Sequence, residues 1–317
     1  MQHLGGNLYA ITCSANARRA EWFAIYWASS TSAQRFEARH EFLSTRPSLA
    51  CKTSSRFAWN RAKKRRQLPF LHTQSALTRL NNGNQVKTVL SSRTDADVHA
   101  LCNTAHVDIN RAPEKPDLDT ETIKNATNHY VRRLHPLRVH TVCKVDERFH
   151  ARRYASRRVY VYRIAANCKF PNVFEKERSY NIAHRLDLGA MQEAVRVFQG
   201  THDFTTFSSV SDSGKQVNSI KTISRAEVGL GKPFPLQPPD CNTQHIEVTI
   251  ESKSFLYHQV RLMVGALIAA GSCKASPSDI QDLIGVRDRR RAPRMAPGYG
   301  LYLTRVDYDT EQIEYDK

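Results

Sequence analysis

The stretch VYVYRI, residues 159–164, alternates with a period of two, so Tyr160 and Tyr162 share one face of an extended chain and Val159 and Val161 the other. Such a run predicts a β-strand. Comparable strand patterns occur at residues 86–90, 99–109, 139–145, 223–228, 245–250 and 301–308. Helical patterns occur at residues 74–80, 120–131, 186–199 and 256–270. Because strands and helices do not follow one another in strict βαβ units, we expect an α+β fold with an antiparallel or mixed sheet.

The charge balance of the 317-residue chain favours a polyanionic partner. Lys and Arg number 47 against 30 Asp and Glu, which gives a net charge of +17. Basic side chains displace counterions from a phosphate backbone, so nucleic acid fits this excess. The alternative is a basic organellar protein with no nucleic-acid role. Seven scattered cysteines without a Cys-x-x-Cys spacing indicate reduced thiols rather than a structural zinc site.

The N-terminal segment, residues 1–68, differs from the rest because it is basic, rich in serine and poor in acids. This composition is typical of a mitochondrial transit peptide. A mobile basic tail and a mispredicted start are the alternatives, and RAKKRR at 61–66 would also suit a nuclear address. We expect a mitochondrial protein, with cytoplasm and nucleus as alternatives, and poor order up to about residue 66. The competing hypothesis is that residues 8–13 enter the sheet as an edge strand.

The stretch SSRTDADVHA, residues 91–100, places two carboxylates directly after a strand pattern. Asp95 and Asp97 point the same way in an extended segment, so they are able to share a divalent metal, as a nuclease would require. His99 continues that face, but no further acidic cluster is spaced to complete a metal shell. An Asx-type turn and a nucleophilic aspartate are the other two interpretations.

The stretch FHARRYASRRVYVYRI, residues 149–164, combines many arginines with tyrosines. Arginines bind phosphates, and aromatic rings stack on bases that have left a helix. A half-buried edge strand with a solvated basic face is the alternative. The arginines of this segment and just upstream are Arg148, Arg152, Arg153, Arg157, Arg158 and Arg163.

The stretch SFLYHQVRLMVGALIAAG, residues 254–271, is an apolar helix pattern that contains one arginine, Arg261. It is too short and too polar to span a bilayer. An arginine is rarely buried without a partner, so this helix calls for a carboxylate, and Asp95 is the attractive candidate. The alternative is that Arg261 extends to the surface along its aliphatic stem.

Together these segments resemble the TruA family of tRNA pseudouridine synthases. SSRTDADVHA is similar to that family's G-R-T-D-A-G-V-H-A block, and FHAR followed by SRRVYVY is similar to its second block. GTHDFTTF at 200–207, SFLYHQVRLMVG, and APGYGLYLTRVDY at 296–308 follow in the family's order. The resemblance covers residues 71–308 and is strongest to the animal branch, which is usually placed in mitochondria.

The resemblance implies a pseudouridine synthase fold, with two α+β halves around a continuous, mostly antiparallel sheet and a basic central cleft. We expect a tail at 1–68, an N-terminal half at 69–165, a C-terminal half at 166–310 and a short tail at 311–317. The implied activity is the isomerisation of uridine to pseudouridine in tRNA or another structured RNA. It requires no cofactor and no metal, and the implied protein is a monomer or homodimer without a membrane partner.

The resemblance also assigns roles to single residues. Asp95 matches the nucleophile, Arg261 the arginine paired with it, and Tyr160 the tyrosine that stacks on the target uracil. Arg93 matches a basic residue that helps to hold the flipped nucleotide. The other residues expected to contact substrate are His99, Arg152, Arg158 and Leu301.

Two departures from the family lead to alternatives. Asp97 stands where the family has glycine; it adds a negative charge near Asp95, and a positive φ there would strain it by roughly 1 kcal/mol. The family's opening strand has no recognisable counterpart in residues 1–70, so residues 8–13 replace it or the start is mispredicted. The alternative function is therefore a catalytically weak RNA-binding relative, ahead of a metal-dependent nuclease.

Overall fold

A computed structural model describes residues 7–15, 74–81, 84–109, 116–132, 137–170, 173–209, 218–233 and 242–309. The strands are β1 (Asn7–Ala15), β2 (Thr88–Leu90), β3 (His99–Ile109), β4 (Leu137–Lys144), β5 (Ala155–Ala166), β6 (Tyr180–Asn181), β7 (Gly200–Asp203), β8 (Ile220–Leu230), β9 (Gln244–Ser252) and β10 (Leu301–Tyr308). The helices are α1 (residues 74–80), α2 (Thr120–Val131), α3 (Leu188–Arg196), α4 (Gln259–Gly271) and α5 (Pro277–Val286). Within these ranges no helix is long and apolar enough to cross a bilayer.

The ten strands form one sheet in the order β4-β1-β3-β10-β5-β9-β8-β7, with β2 beside β3 and β6 beside β5. Among the strands of the described residues, only the β3–β10 and β5–β6 pairs are parallel. The predicted α+β fold with a mostly antiparallel sheet is confirmed. The strand patterns at 99–109 and 301–308 and the helix pattern at 120–131 match β3, β10 and α2 residue for residue.

Helix α5 was not among the predicted elements, although its sequence carries a start signal. Ser276 accepts from the Asp279 main-chain N–H, Asp279 accepts from the Ser276 main-chain N–H, and Pro277 follows the cap. Ile280 and Ile284 are the buried residues of this helix. The helix has only a short stripe of apolar residues, so its sequence shows little helical periodicity.

Strand β1 corrects one expectation about residues 1–68. It lies between β3 and β4 and pairs antiparallel with both. Tyr9 and Ile11 belong to a hydrophobic core shared with Leu77 and Val107, and Ile11 is only 2% exposed. The expectation of poor order is therefore wrong for residues 7–15, which form an interior strand rather than the edge strand of the competing hypothesis.

Strand β1 was hard to predict because its hydrogen-bonding partners are remote in sequence. The sequence of residues 1–68 contains no second strand-like run that would offer it a local hairpin, whereas β3 and β4 supply both of its neighbours. Residues 1–6 and 16–73, RAKKRR included, lie outside the described ranges, as do residues 310–317. The transit segment and the domain boundaries therefore stay predictions.

The described residues pack into two main hydrophobic cores against the sheet. The N-terminal core contains Ile11, Leu77 and Ile123, from β1, α1 and α2. The C-terminal core is larger and includes Met191 on α3 and Leu267 on α4. The parallel β3–β10 pair joins the halves into one sheet, since His99 lies opposite Tyr302 and Ala100 opposite Leu303. The segments before β3 and before β10 therefore meet at this junction.

Candidate active site

The segment between β2 and β3, residues 91–98, is called the aspartate loop here, and hydrogen bonds tie it to β3. The Ser91 N–H donates to the Thr104 carbonyl at 2.7 Å, and the Ser91 hydroxyl donates to Asn103 Oδ1 at 2.7 Å. Asn103 Nδ2 in turn donates to the Ser92 carbonyl at 3.0 Å. This network fixes the path of the chain that presents Asp95.

Asp95 and Arg261 form the predicted ion pair although they are remote in sequence. Arg261 Nη1 donates to Asp95 Oδ2 at 3.1 Å, and the two side chains are 12% and 18% exposed, in that order. Arg261 Nε donates to the Ala296 carbonyl at 2.8 Å, and the Ala296 N–H donates back to the Arg261 carbonyl at 3.1 Å. The guanidinium therefore does not extend into solvent, and it places a fixed positive charge beside the carboxylate.

Residues 296–300 form a second segment, called the glycine loop here, that closes against the aspartate loop. A Cβ on Gly298 would lie 2.6 Å from the Ala96 carbonyl oxygen, and one on Gly300 would lie 2.7 Å from the Tyr162 ring. The Tyr162 hydroxyl donates to the Pro297 carbonyl at 2.8 Å. The two glycines therefore permit an approach that any side chain at those positions would obstruct.

Asp97 adopts the left-handed conformation that its family counterpart, glycine, would favour, with φ at 66°. Aspartate tolerates this region better than most residues, so the strain stays near the roughly 1 kcal/mol expected from sequence. Among the described residues, no group of three or more His, Cys, Asp or Glu side chains could hold a metal ion.

Tyr160 on β5 interacts electrostatically with the Asp95 carboxylate. The residue is 8% exposed, and its ring packs edge to face against Phe255, with centroids 5.2 Å apart. Burial raises the pKa of Tyr160 to about 12; the hydrogen bond with Ser92 opposes this rise and the Asp95 carboxylate adds to it. The phenol is therefore neutral near pH 7 and offers the site an aromatic ring with a hydroxyl proton.

Arg93 and Arg152, both predicted to contact substrate, are exposed. Neither forms an ion pair with another residue in the described part of the chain. Leu301 is instead a core residue, 5% exposed and opposite Tyr162 in the sheet register. Arg93 is two residues from Asp95 in sequence and exposed, so its guanidinium is accessible from solvent.

His99 and Arg158 were also predicted to contact substrate, and in the structure both side chains are engaged by internal hydrogen bonds. His99 Nε2 lies 3.1 Å from the carbonyl oxygens of Glu177 and Tyr299. Arg158 donates to the Ser92 hydroxyl at 2.9 Å, and burial lowers its pKa. Further Arg158 bonds go to the carbonyl oxygens of Ser91, Arg152 and Lys253. These hydrogen bonds from Arg158 anchor the aspartate loop to β5.

The other arginines of residues 148–163 divide between internal pairs and the surface. Arg157 donates to Asp307 at 2.6 Å, and Arg163 binds both carboxylate oxygens of the buried Glu175. Arg152 and Arg153 remain exposed. Arg157 and Arg163 therefore stabilise the sheet through internal ion pairs. The exposed arginines of this segment remain the candidates for phosphate binding.

His258 is a site residue that the sequence analysis did not select. Its Nε2 lies 3.5 Å from Asp95 Oδ2. A signal was available, because His258 precedes Arg261 by three residues, the spacing that places two side chains on one helix face.

Comparisons with known proteins agree with this geometry. A sequence model of a family described as tRNA pseudouridine synthase matches residues 194–309. The chain is 39% identical to a tRNA pseudouridine synthase-like 1 of Mus musculus over 246 residues, which cover 74% of this chain and 83% of that protein. It is 38% identical to the protein of the same description in Homo sapiens, with 75% and 80% covered. It is 35% identical to a tRNA pseudouridine synthase A of Ehrlichia chaffeensis, with 69% and 81% covered. The fold, the aspartate–arginine pair and these relatives lead to one conclusion: the chain belongs to the TruA-type family of tRNA pseudouridine synthases.

Proposed function

We propose that the protein isomerises uridine to pseudouridine in tRNA with Asp95 as the nucleophile, Arg261 as its ion partner and Tyr160 as the aromatic support for the base. The coarser statement, an isomerase that acts on tRNA, follows from the family to which the chain belongs. The observation that supports the roles proposed for individual residues is the 3.1 Å contact between Arg261 and Asp95, which lie in two segments remote in sequence.

The reaction breaks the N1–C1′ bond of uridine and forms a C5–C1′ bond at the same base. C5 loses a proton to solvent and N1 gains one, so no electrons are exchanged with a cofactor. Attack on the sugar and attack on the base both need an ionised carboxylate in a site that admits an unstacked nucleotide. Asp95, partly buried beside a guanidinium, fits this requirement.

The surroundings of Asp95 support base recognition and phosphate binding. Tyr160 presents an aromatic ring near the carboxylate, and its pKa of about 12 keeps the hydroxyl protonated during turnover. Arg93 and Arg152 are the exposed cations to which we assign contacts with the RNA backbone. We also propose a mitochondrial location, directed by an address that is not cleaved off, because residues 7–15 form an interior strand of the sheet, and a monomer or homodimer as the working form.

The decisive experiment replaces Asp95 with Asn and measures tritium release from tRNA labelled at C5 of uridine. The amide keeps the shape of the side chain but cannot act as an anionic nucleophile, so turnover should fall below about 1% of wild type. Affinity for tRNA, measured by filter binding, should stay within a few fold. A catalytically weak RNA-binding protein would instead bind tRNA while the wild type released little tritium.

Asp97→Asn is the matched control, because it removes a carboxylate two residues away and asparagine accepts the left-handed conformation. It should retain at least wild-type activity. Appreciable turnover by Asp95→Asn would disprove the nucleophile assignment.

A further inference from the structure

His258 gives the Asp95 carboxylate a second partner at the N-terminal end of α4. Its Nε2 lies 3.5 Å from Asp95 Oδ2, the oxygen that Arg261 Nη1 contacts at 3.1 Å. The His258 side chain is 15% exposed, so water screens this contact less than it would at the surface. Within the described part of the chain no side chain bonds to Oδ1. That oxygen is therefore the one left for bond formation.

The imidazole of His258 is held on two sides. Its Nδ1 lies 2.9 Å from Ser209 Oγ, and the Tyr257 ring stacks on it with centroids 3.7 Å apart and planes inclined by 28°. The Ser209 N–H donates to the Tyr257 carbonyl at 3.0 Å, which fixes the serine as well. A neutral imidazole that accepts from the Ser209 hydroxyl at Nδ1 carries its proton at Nε2, facing Asp95.

The backbone of His258 indicates that this orientation serves a purpose beyond helix capping. The residue precedes α4 in the N-cap position, yet its side chain makes no capping hydrogen bond. Its φ of 65° is left-handed, a strained region that histidine occupies more often than most residues. Strain of this kind persists where a site depends on the resulting side-chain direction.

We propose that Ser209 and His258 form a positioning relay for the nucleophile, in which Nε2–H donates to Asp95 Oδ2 and turns Oδ1 toward the substrate. The proposal rests on the proposed role of Asp95. A carboxylate held by Arg261 alone is free to rotate about Cβ–Cγ, and a second donor on the same oxygen restricts that rotation. The 3.5 Å separation suits a free enzyme, since catalytic hydrogen bonds often shorten only when substrate is bound.

Two substitutions at His258 separate this role from a structural one. Glutamine places its amide nitrogen three bonds beyond Cβ, as histidine places Nε2, so His258→Gln keeps a donor for Asp95. Asparagine reaches only as far as Nδ1, so His258→Asn retains the Ser209 contact and loses the Asp95 contact. Asparagine also accepts the left-handed backbone, so the melting temperature of the His258→Asn variant should match or exceed that of wild type.

The assay is single-turnover tritium release at saturating tRNA, with the dissociation constant for tRNA measured in parallel. We expect His258→Asn to slow the chemical step by about tenfold or more, the usual weight of a hydrogen bond to a charged group. His258→Gln should stay within about threefold of wild type, and Ser209→Ala should show a smaller loss than His258→Asn. The tRNA dissociation constant should be unchanged in all three.

A wild-type rate in His258→Asn, or equal losses in the asparagine and glutamine variants, would overturn the relay. A loss confined to tRNA affinity would overturn it as well, because a positioning residue acts on the chemical step. Failure of the proposed function looks different, since the wild type would then release no tritium or Asp95→Asn would remain active.

Discussion

The contact between the glycine loop and the aspartate loop predicts a specific catalytic defect for Gly298→Ala. Gly298 is buried at the start of a short 3-10 turn, Gly298–Gly300, that leads into β10. A Cβ there would lie 2.6 Å from the Ala96 carbonyl oxygen, whereas ordinary contact begins at 3.4 Å. Ala96 directly follows Asp95, so the clash falls on the immediate neighbour of the proposed nucleophile.

The size of the effect follows from this overlap. One of the two loops must move by about 0.8 Å, and neither contact atom is the end of a flexible side chain. A misplacement near 1 Å lowers catalysis by about a hundredfold, so we expect kcat to fall roughly 30- to 100-fold. Overpacking of this kind costs about 1–3 kcal/mol, which lowers Tm by several degrees without unfolding the protein.

The assay compares tritium release and thermal unfolding of Gly298→Ala with those of Gly285→Ala. Gly285 lies in α5, and a Cβ there would have no atom within 4 Å. Alanine in an exposed helix is more favourable than glycine by about 1 kcal/mol, so this control should be slightly more stable and fully active. Full activity in Gly298→Ala would show that contact with the glycine loop does not determine the position of the aspartate loop.

Three other features give shorter predictions. Asp97→Gly should raise kcat/KM for tRNA, because it removes a negative charge near Asp95, the proposed nucleophile, and relieves the backbone at a φ of 66°; an unchanged or lower value would mean that the aspartate is accommodated. Ile11→Ala should lower the free energy of unfolding by about 2–5 kcal/mol, since this side chain in β1 is 2% exposed, and deleting residues 1–66 should lower Tm by roughly 10 °C or more. A deletion variant with wild-type Tm would contradict the placement of β1. Burial lowers the pKa of His106 from 6.5 to about 4, and its Nδ1 accepts from the Ala151 N–H at 2.9 Å. The unfolded chain therefore binds this proton more readily, and stability present above about pH 6.5 is lost as the pH falls toward 4. Thermal unfolding across this range should show a smaller loss in His106→Asn, whose amide oxygen accepts the same bond without titrating.

Sequence alone located most elements of the fold and both members of the ion pair. Local periodicity suffices for β3 and β10, because a period of two is set by the pleat itself. The helical pattern of α2 was equally clear, and in the structure Asp119 caps this helix by accepting from the Thr122 N–H. The requirement of Arg261 for a carboxylate partner also follows from chemistry, because an arginine within an apolar helix must be paired.

Only the tertiary structure decided which segments meet. Strand β1 looks like an isolated apolar run until β3 and β4 supply its partners, and β3 pairs in parallel with β10 from the opposite end of the chain. The left-handed φ of Asp97 and the His258 contact with Asp95 likewise depend on the packing of the surrounding segments. The physical reason is that a local pattern specifies a strand or a helix, whereas hydrogen-bond partners, burial and charge pairing are properties of segments brought together by folding.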